Sequence, residues 1–141
     1  MNGPIFTPEI DAQLRATRSV TVEGDIIRVV FKIRELDEKR HVRSVALLLQ
    51  DLEKIFADNP DKNFYGLADL TPLANQISYM SEEIRDGYAR IIDHPRITKI
   101  ALFGANVFFE VATNIIINTT GRRDKTHMFK TEAEALEWLR N

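Results

Sequence analysis

Apolar residues recur along the chain in two periods, and the switches between periods lay out its elements. Thr7-Pro8-Glu9 sets a capping hydroxyl before a proline at the first helical position, and Ile10 and Leu14 follow four apart. This predicts a short amphipathic helix over about 8–17. Val20 to Val22 and Ile26 to Ile33 are β-branched runs on either side of Glu23-Gly24-Asp25, the turn chemistry of a hairpin. From Glu38 to Asp58, Val42, Val45, Leu49, Leu52 and Phe56 recur at three- and four-residue steps, while Arg43, Asp51, Glu53 and Lys54 fall between them. That is one long helix, ended by Asn59-Pro60.

The second half alternates more quickly. Phe64 to Leu70, bounded by Asp61-Lys62-Asn63 and Thr71-Pro72, reads as a buried strand. Ser81 before Glu82-Glu83 starts a helix whose apolar face is Ile84, Tyr88, Ile91 and Ile92, and His94-Pro95 closes it. Ile97 to Phe103 reads as a strand and Gly104-Ala105-Asn106 as a tight turn. A helix with Val107, Phe108, Val111 and Ile115 inward then ends at Gly121. Thr126 to Phe129 is a short last strand, and Thr131-Glu132-Ala133-Glu134 opens a final helix carrying Leu136, Trp138 and Leu139. The order is helix, hairpin, then helices alternating with strands. It predicts an α/β fold: a central, mostly parallel mixed sheet of four to five strands covered by helices, with an extra short N-terminal helix.

Composition narrows the function classes without naming one. At 141 residues the chain is the size of one domain, and 44% apolar residues suffice for a core. Nineteen Lys+Arg against 21 Asp+Glu leave a net charge of −2, not the basic footprint of a nucleic-acid binder, so no nucleic acid is expected as a partner. The absence of cysteine excludes a disulfide scaffold and a thiolate nucleophile. Neither a signal peptide nor a run of 18 apolar residues occurs, so the expected chain is cytoplasmic with no membrane insertion.

Few residues suggest chemistry. His41, His94 and His127 have no ligand-spaced partner, and the neighbouring acids Glu38 and Asp93 read as surface coincidence; no metal or other cofactor is expected. No serine lies in a nucleophile elbow or a Ser-x-x-Lys pair, so no catalytic residue is assigned. Asp69, at a strand end, is either a general base or the cap of the following turn. Two basic clusters, Arg34-Lys39-Arg40-Arg43 and Arg122-Arg123-Lys125, would take a phosphate or an acidic partner, or are simply solvated. Phe108-Phe109 and Ile115-Ile116-Ile117 exceed one helical stripe. That surplus, together with the helix around Ile10 and Leu14, points to a homodimer with Ile10, Leu14, Phe109 and Ile117 at its interface.

From Thr21 to Arg140 the chain resembles the SpoIIAA-like (STAS-like) family of small bacterial proteins, related by fold to CRAL-TRIO lipid-binding domains. The resemblance is carried by Lys99-Ile100-Ala101-Leu102-Phe103-Gly104 and by the segment from Met128 through Thr131-Glu132 to Ala135-Leu136-Glu137-Trp138-Leu139. Tyr65-Gly66-Leu67-Ala68-Asp69-Leu70 is similar to the central strand that ends in Asp. The resemblance implies an N-terminal extension over 1–18 and a STAS-like domain over 19–141. It also implies a non-enzymatic regulatory or protein-interaction module with an unknown protein partner. The alternative is a carrier or sensor of a lipid or other apolar small molecule. Anti-sigma-factor antagonists of the family carry a phosphorylatable serine in an Asp-Ser-Ser-Gly-like turn, and here Ser78 and Ser81 stand near that place. Ser78, Ser81 and Asp69 thus mark the corresponding switch region. The Asp and Gly of that turn are missing between Asn75 and Glu83, so Ser81 is expected to be a plain N-cap.

Overall fold

The computed structural model describes residues 6–73, 80–104 and 124–141. Its first helix, α1 (Pro8–Arg15), starts where Thr7 accepts a hydrogen bond from the Ile10 N–H. The hairpin follows as β1 (Arg18–Glu23) and β2 (Ile26–Phe31), antiparallel from Arg18 opposite Phe31 to Glu23 opposite Ile26. Gly24 turns it at φ 66°, a left-handed conformation that favours glycine. After α2 (Glu38–Asp58), β3 (Phe64–Asp69) pairs parallel with β2. A 3₁₀ turn at Thr71–Leu73 precedes α3 (Glu82–Ile92), and β4 (Ile97–Phe103), β5 (Thr126–Phe129) and α4 (Glu132–Arg140) complete the described chain.

Among the described residues the sheet has five strands in the order β1-β2-β3-β4-β5, with the first pair antiparallel and the rest parallel. Each crossover steps to the next position in the same direction, and the crossover helices α2 and α3 share one face. There Leu48, Leu52 and Phe56 of α2 and Ile92 of α3 pack on Ile27, Val29, Phe64, Ile97 and Ile100. Ala135 and Leu139 of α4 cover the opposite face over Leu67, Ala101 and Phe103. The expected α/β architecture with a mixed, mostly parallel sheet is therefore present. The helix expected over 107–120 lies outside the described residues.

The N-terminal helix corrects one expectation. Leu14 is 0% exposed and offers a second copy no surface. Its stripe is used inside the chain, where α1 lies along α2. Two arginine forks pin the pair: Arg15 Nε donates to both Asp51 oxygens, at 3.1 and 3.0 Å, and Arg43 donates to both Asp11 oxygens, at 3.0 and 2.8 Å. The buried arc of α2, which runs through Ser44, Val45, Leu47, Leu48, Leu52 and Phe56, is accordingly wider than one stripe and takes in Leu47 and Leu48 rather than Leu49. Ile10, the other expected contact on this helix, is half-buried.

Candidate functional site

The centre of the sheet is hollow on the α2–α3 face because its middle strand carries small residues there. Side chains alternate along a strand, so Phe64, Gly66 and Ala68 face one way and Tyr65, Leu67 and Asp69 the other. Gly66 sits between Ile27 and Ile100, and Ala68 between Val29 and Leu102. Both are flanked by branched residues that hold the helices off the sheet. A Cβ at Gly66 would lie 3.4 Å from the Ile100 side chain.

A cavity of about 160 Å³ fills this space, lined by Ile27, Val29, Leu48, Leu52, Ile92 and Ile100 among other apolar residues. It reaches Phe31 and Ile33 past the C-terminal end of β2, and Ile33, 61% exposed, lies at its mouth. A volume of this order, with walls of Leu, Ile and Val, is enough for a ring the size of benzene.

The polar groups gather at one end. Arg18 opens β1 opposite Phe31 and lines the cavity with a side chain only 3% exposed. Its Nη1 donates to Ser44 Oγ at 2.5 Å and reaches the Leu14 carbonyl at 3.4 Å. Its Nη2 has no hydrogen-bond partner among the described residues, and the Asp51 carboxylate stands 4.0 Å away. Tyr88, on α3, meets Phe31 edge-on at 6.5 Å between ring centroids and His41 at 5.9 Å, with 3.2 Å between His41 Nε2 and the Tyr88 hydroxyl. All four residues, Arg18, Ser44, His41 and Tyr88, belong to the cavity wall.

Burial governs the protonation of this end. It pushes the Tyr88 hydroxyl up to about 12, against the pull of Arg18. It lowers the His41 imidazole below its ordinary value, against the carboxylate of Glu35 and together with Arg34. Burial also lowers the Arg18 guanidinium, opposed by Tyr88 and Asp51. An arginine remains charged under such a shift, so Arg18 is a desolvated cation beside two neutral rings.

The residues singled out in the sequence lie elsewhere or in structural roles. Asp69 Oδ1 accepts from the Thr71 N–H at 2.9 Å and so caps its turn. Ser81 Oγ accepts from the Ile84 N–H at 3.3 Å as the N-cap of α3 and is itself buried. Ser78, Phe109 and Ile117 lie outside the described residues. Within the first basic cluster Arg40 bonds Glu35 at 2.9 Å and Arg43 bonds Asp11, so those two charges are paired within the chain. The two histidines with an acid nearby in sequence take other partners in the fold: His41 meets Tyr88 in the cavity wall, and His94 bonds Glu53 at 2.7 Å and packs on Phe56. Among the described residues no group of His, Asp and Glu could hold a metal ion. Likewise, no described helix is long and apolar enough to cross a membrane.

The cavity and Arg18 escaped the sequence reading, yet each left a trace. Phe64-Tyr65-Gly66-Leu67-Ala68-Asp69 alternates small against large, and Arg18 stands in phase with Val20 and Val22 on the apolar face of β1. No protein-family model matches the chain, and no curated protein matches it.

Proposed function

We propose that the chain is a non-enzymatic STAS-like module that carries or senses a small apolar molecule in the cavity over Gly66 and Ala68. The observation that carries this reading is that hollow: the central strand gives up side-chain volume on the face where two helices should pack most closely. Close packing is the rule in protein interiors, and apolar hollows of this size are few. The strand and helix segments that resemble the STAS-like family support the module, as does a five-stranded sheet, a size the resemblance implies. A non-enzymatic reading agrees with the use of Asp69 and Ser81 as caps.

Regulation of a protein partner belongs to the same reading. Ile33 lies at the cavity mouth, and Leu36, 79% exposed, follows three residues later. An occupant would therefore alter the surface that a partner meets. Native mass spectrometry of freshly purified protein tests the proposal: a co-purifying small molecule on the wild type, absent from Ala68→Leu, is the expected result. A clean ligand-free mass for both proteins, with no change in stability on adding toluene or hexanol, would contradict it.

A further inference from the structure

The proposed cavity leaves the nature of its occupant open, and the polar end narrows it. Among the described residues of the cavity wall, Arg18 carries the buried polar atom that lacks a hydrogen-bond partner. Its Nη1 is taken by Ser44 and Leu14, whereas Nη2 is buried without a hydrogen-bond partner among the described residues. A buried polar atom left without a partner is costly, more so when it is charged. Asp51 is the nearest carboxylate, but at 4.0 Å it is beyond hydrogen-bond reach, and both its oxygens already accept from Arg15.

Resting on the reading that the cavity binds a small apolar molecule, we infer that this molecule is a hydrophobic monocarboxylate, with its tail over Gly66 and Ala68 and its carboxylate at Arg18. Charge complementarity selects the anion, because a carboxylate at Nη2 supplies the missing acceptor. Ser44 Oγ, which accepts from Arg18, still has its own O–H to donate to the same group. The surroundings select one carboxylate rather than two: of the two guanidiniums on the cavity wall, Arg18 and the half-buried Arg34, Arg18 is the buried one with an open donor, and Asp51 and Glu35 nearby oppose further negative charge. Volume sets the tail. A cavity of about 160 Å³ is close to the roughly 150 Å³ that accommodates benzene, so a phenyl ring or a chain of about five carbons fits and a long acyl chain does not.

Calorimetric titration of the full chain with benzoate and hexanoate, each beside its neutral counterpart (benzyl alcohol and hexanol), tests the inference. At least one acid is expected to bind ten times or more tightly than its alcohol. It should also shift the Arg18 side-chain N–H resonances in a nitrogen-correlated spectrum. Arg18→Met should abolish the preference while the alcohol still binds. Arg18→Lys, which keeps the charge, and Ser44→Ala should weaken the acid less, so the test stands even if Arg18→Met does not fold. Alcohols binding as well as the acids would overturn the anion while leaving the apolar cavity in place. If none of the four bound, both readings would fall. Acid binding that is unchanged in Arg18→Lys and Ser44→Ala, with the Arg18 resonances unmoved, would overturn the placement.

Discussion

Ser81, Asp69, His41 and Arg18 divide by how far away their partners lie in sequence. The Ser81 hydroxyl caps a helix whose receiving N–H is three residues on, so Ser81→Ala should lower the unfolding free energy in urea by about 1 kcal/mol without changing ligand binding. Asp69 likewise reaches two residues forward. Such local roles are legible in a sequence because spacing alone specifies them. Arg18 and His41 are not, since Ser44 lies 26 residues from the first and Tyr88 lies 47 from the second. Burial holds the His41 imidazole below its ordinary value of 6.5, so the folded chain binds fewer protons than the unfolded one just below that pH. Its contribution is then complete above the unfolded value and is lost as pH falls through the folded one. Wild type should therefore lose more stability than His41→Gln between about pH 7.5 and about pH 5, read as the difference between their urea midpoints. Tyr88 has the opposite sign. Its raised value makes the folded chain the better proton binder, so stability falls from about pH 10 towards about pH 12, and one tyrosine should ionise late in an ultraviolet titration.

At the scale of elements, periodicity and caps placed each described helix and strand within a few residues. What they could not tell is which element a face meets. Leu14 shows this: its spacing marks an apolar stripe, and only the fold decides that α2 rather than a second copy covers it. Gly87 is a second case, invisible as a packing residue until α3 is laid against α2. A Cβ there would stand 2.9 Å from Val45 Cγ1, a stiff β-branched methyl with little room to move. Gly87→Ala should therefore destabilise by about 1–2 kcal/mol, despite the better helix propensity of alanine. In the double variant with Val45→Ala the two losses should be less than additive when measured by denaturant unfolding. Full additivity would mean that the helices do not meet at this point.

For the whole molecule, the monotonic strand order has a functional consequence. It lays two crossover helices on one face, and the branched residues beside Gly66 and Ala68 hold them off the central strand, whose small side chains leave the space unfilled. The architecture was legible because alternation of helix and strand implies a parallel sheet. The cavity was not, since it depends on which strands flank Gly66 and Ala68. Ala68→Leu should fill the space, raise stability by about 1 kcal/mol and remove ligand binding. The central claim is that the space is apolar and able to admit a guest. Crystals of the protein pressurised with xenon test it directly. The account predicts a xenon atom over Ala68, between Leu48 of α2 and Ile100 of β4, in the wild type and none in Ala68→Leu. Wild-type crystals that retain the fold and show no xenon at that place would contradict it.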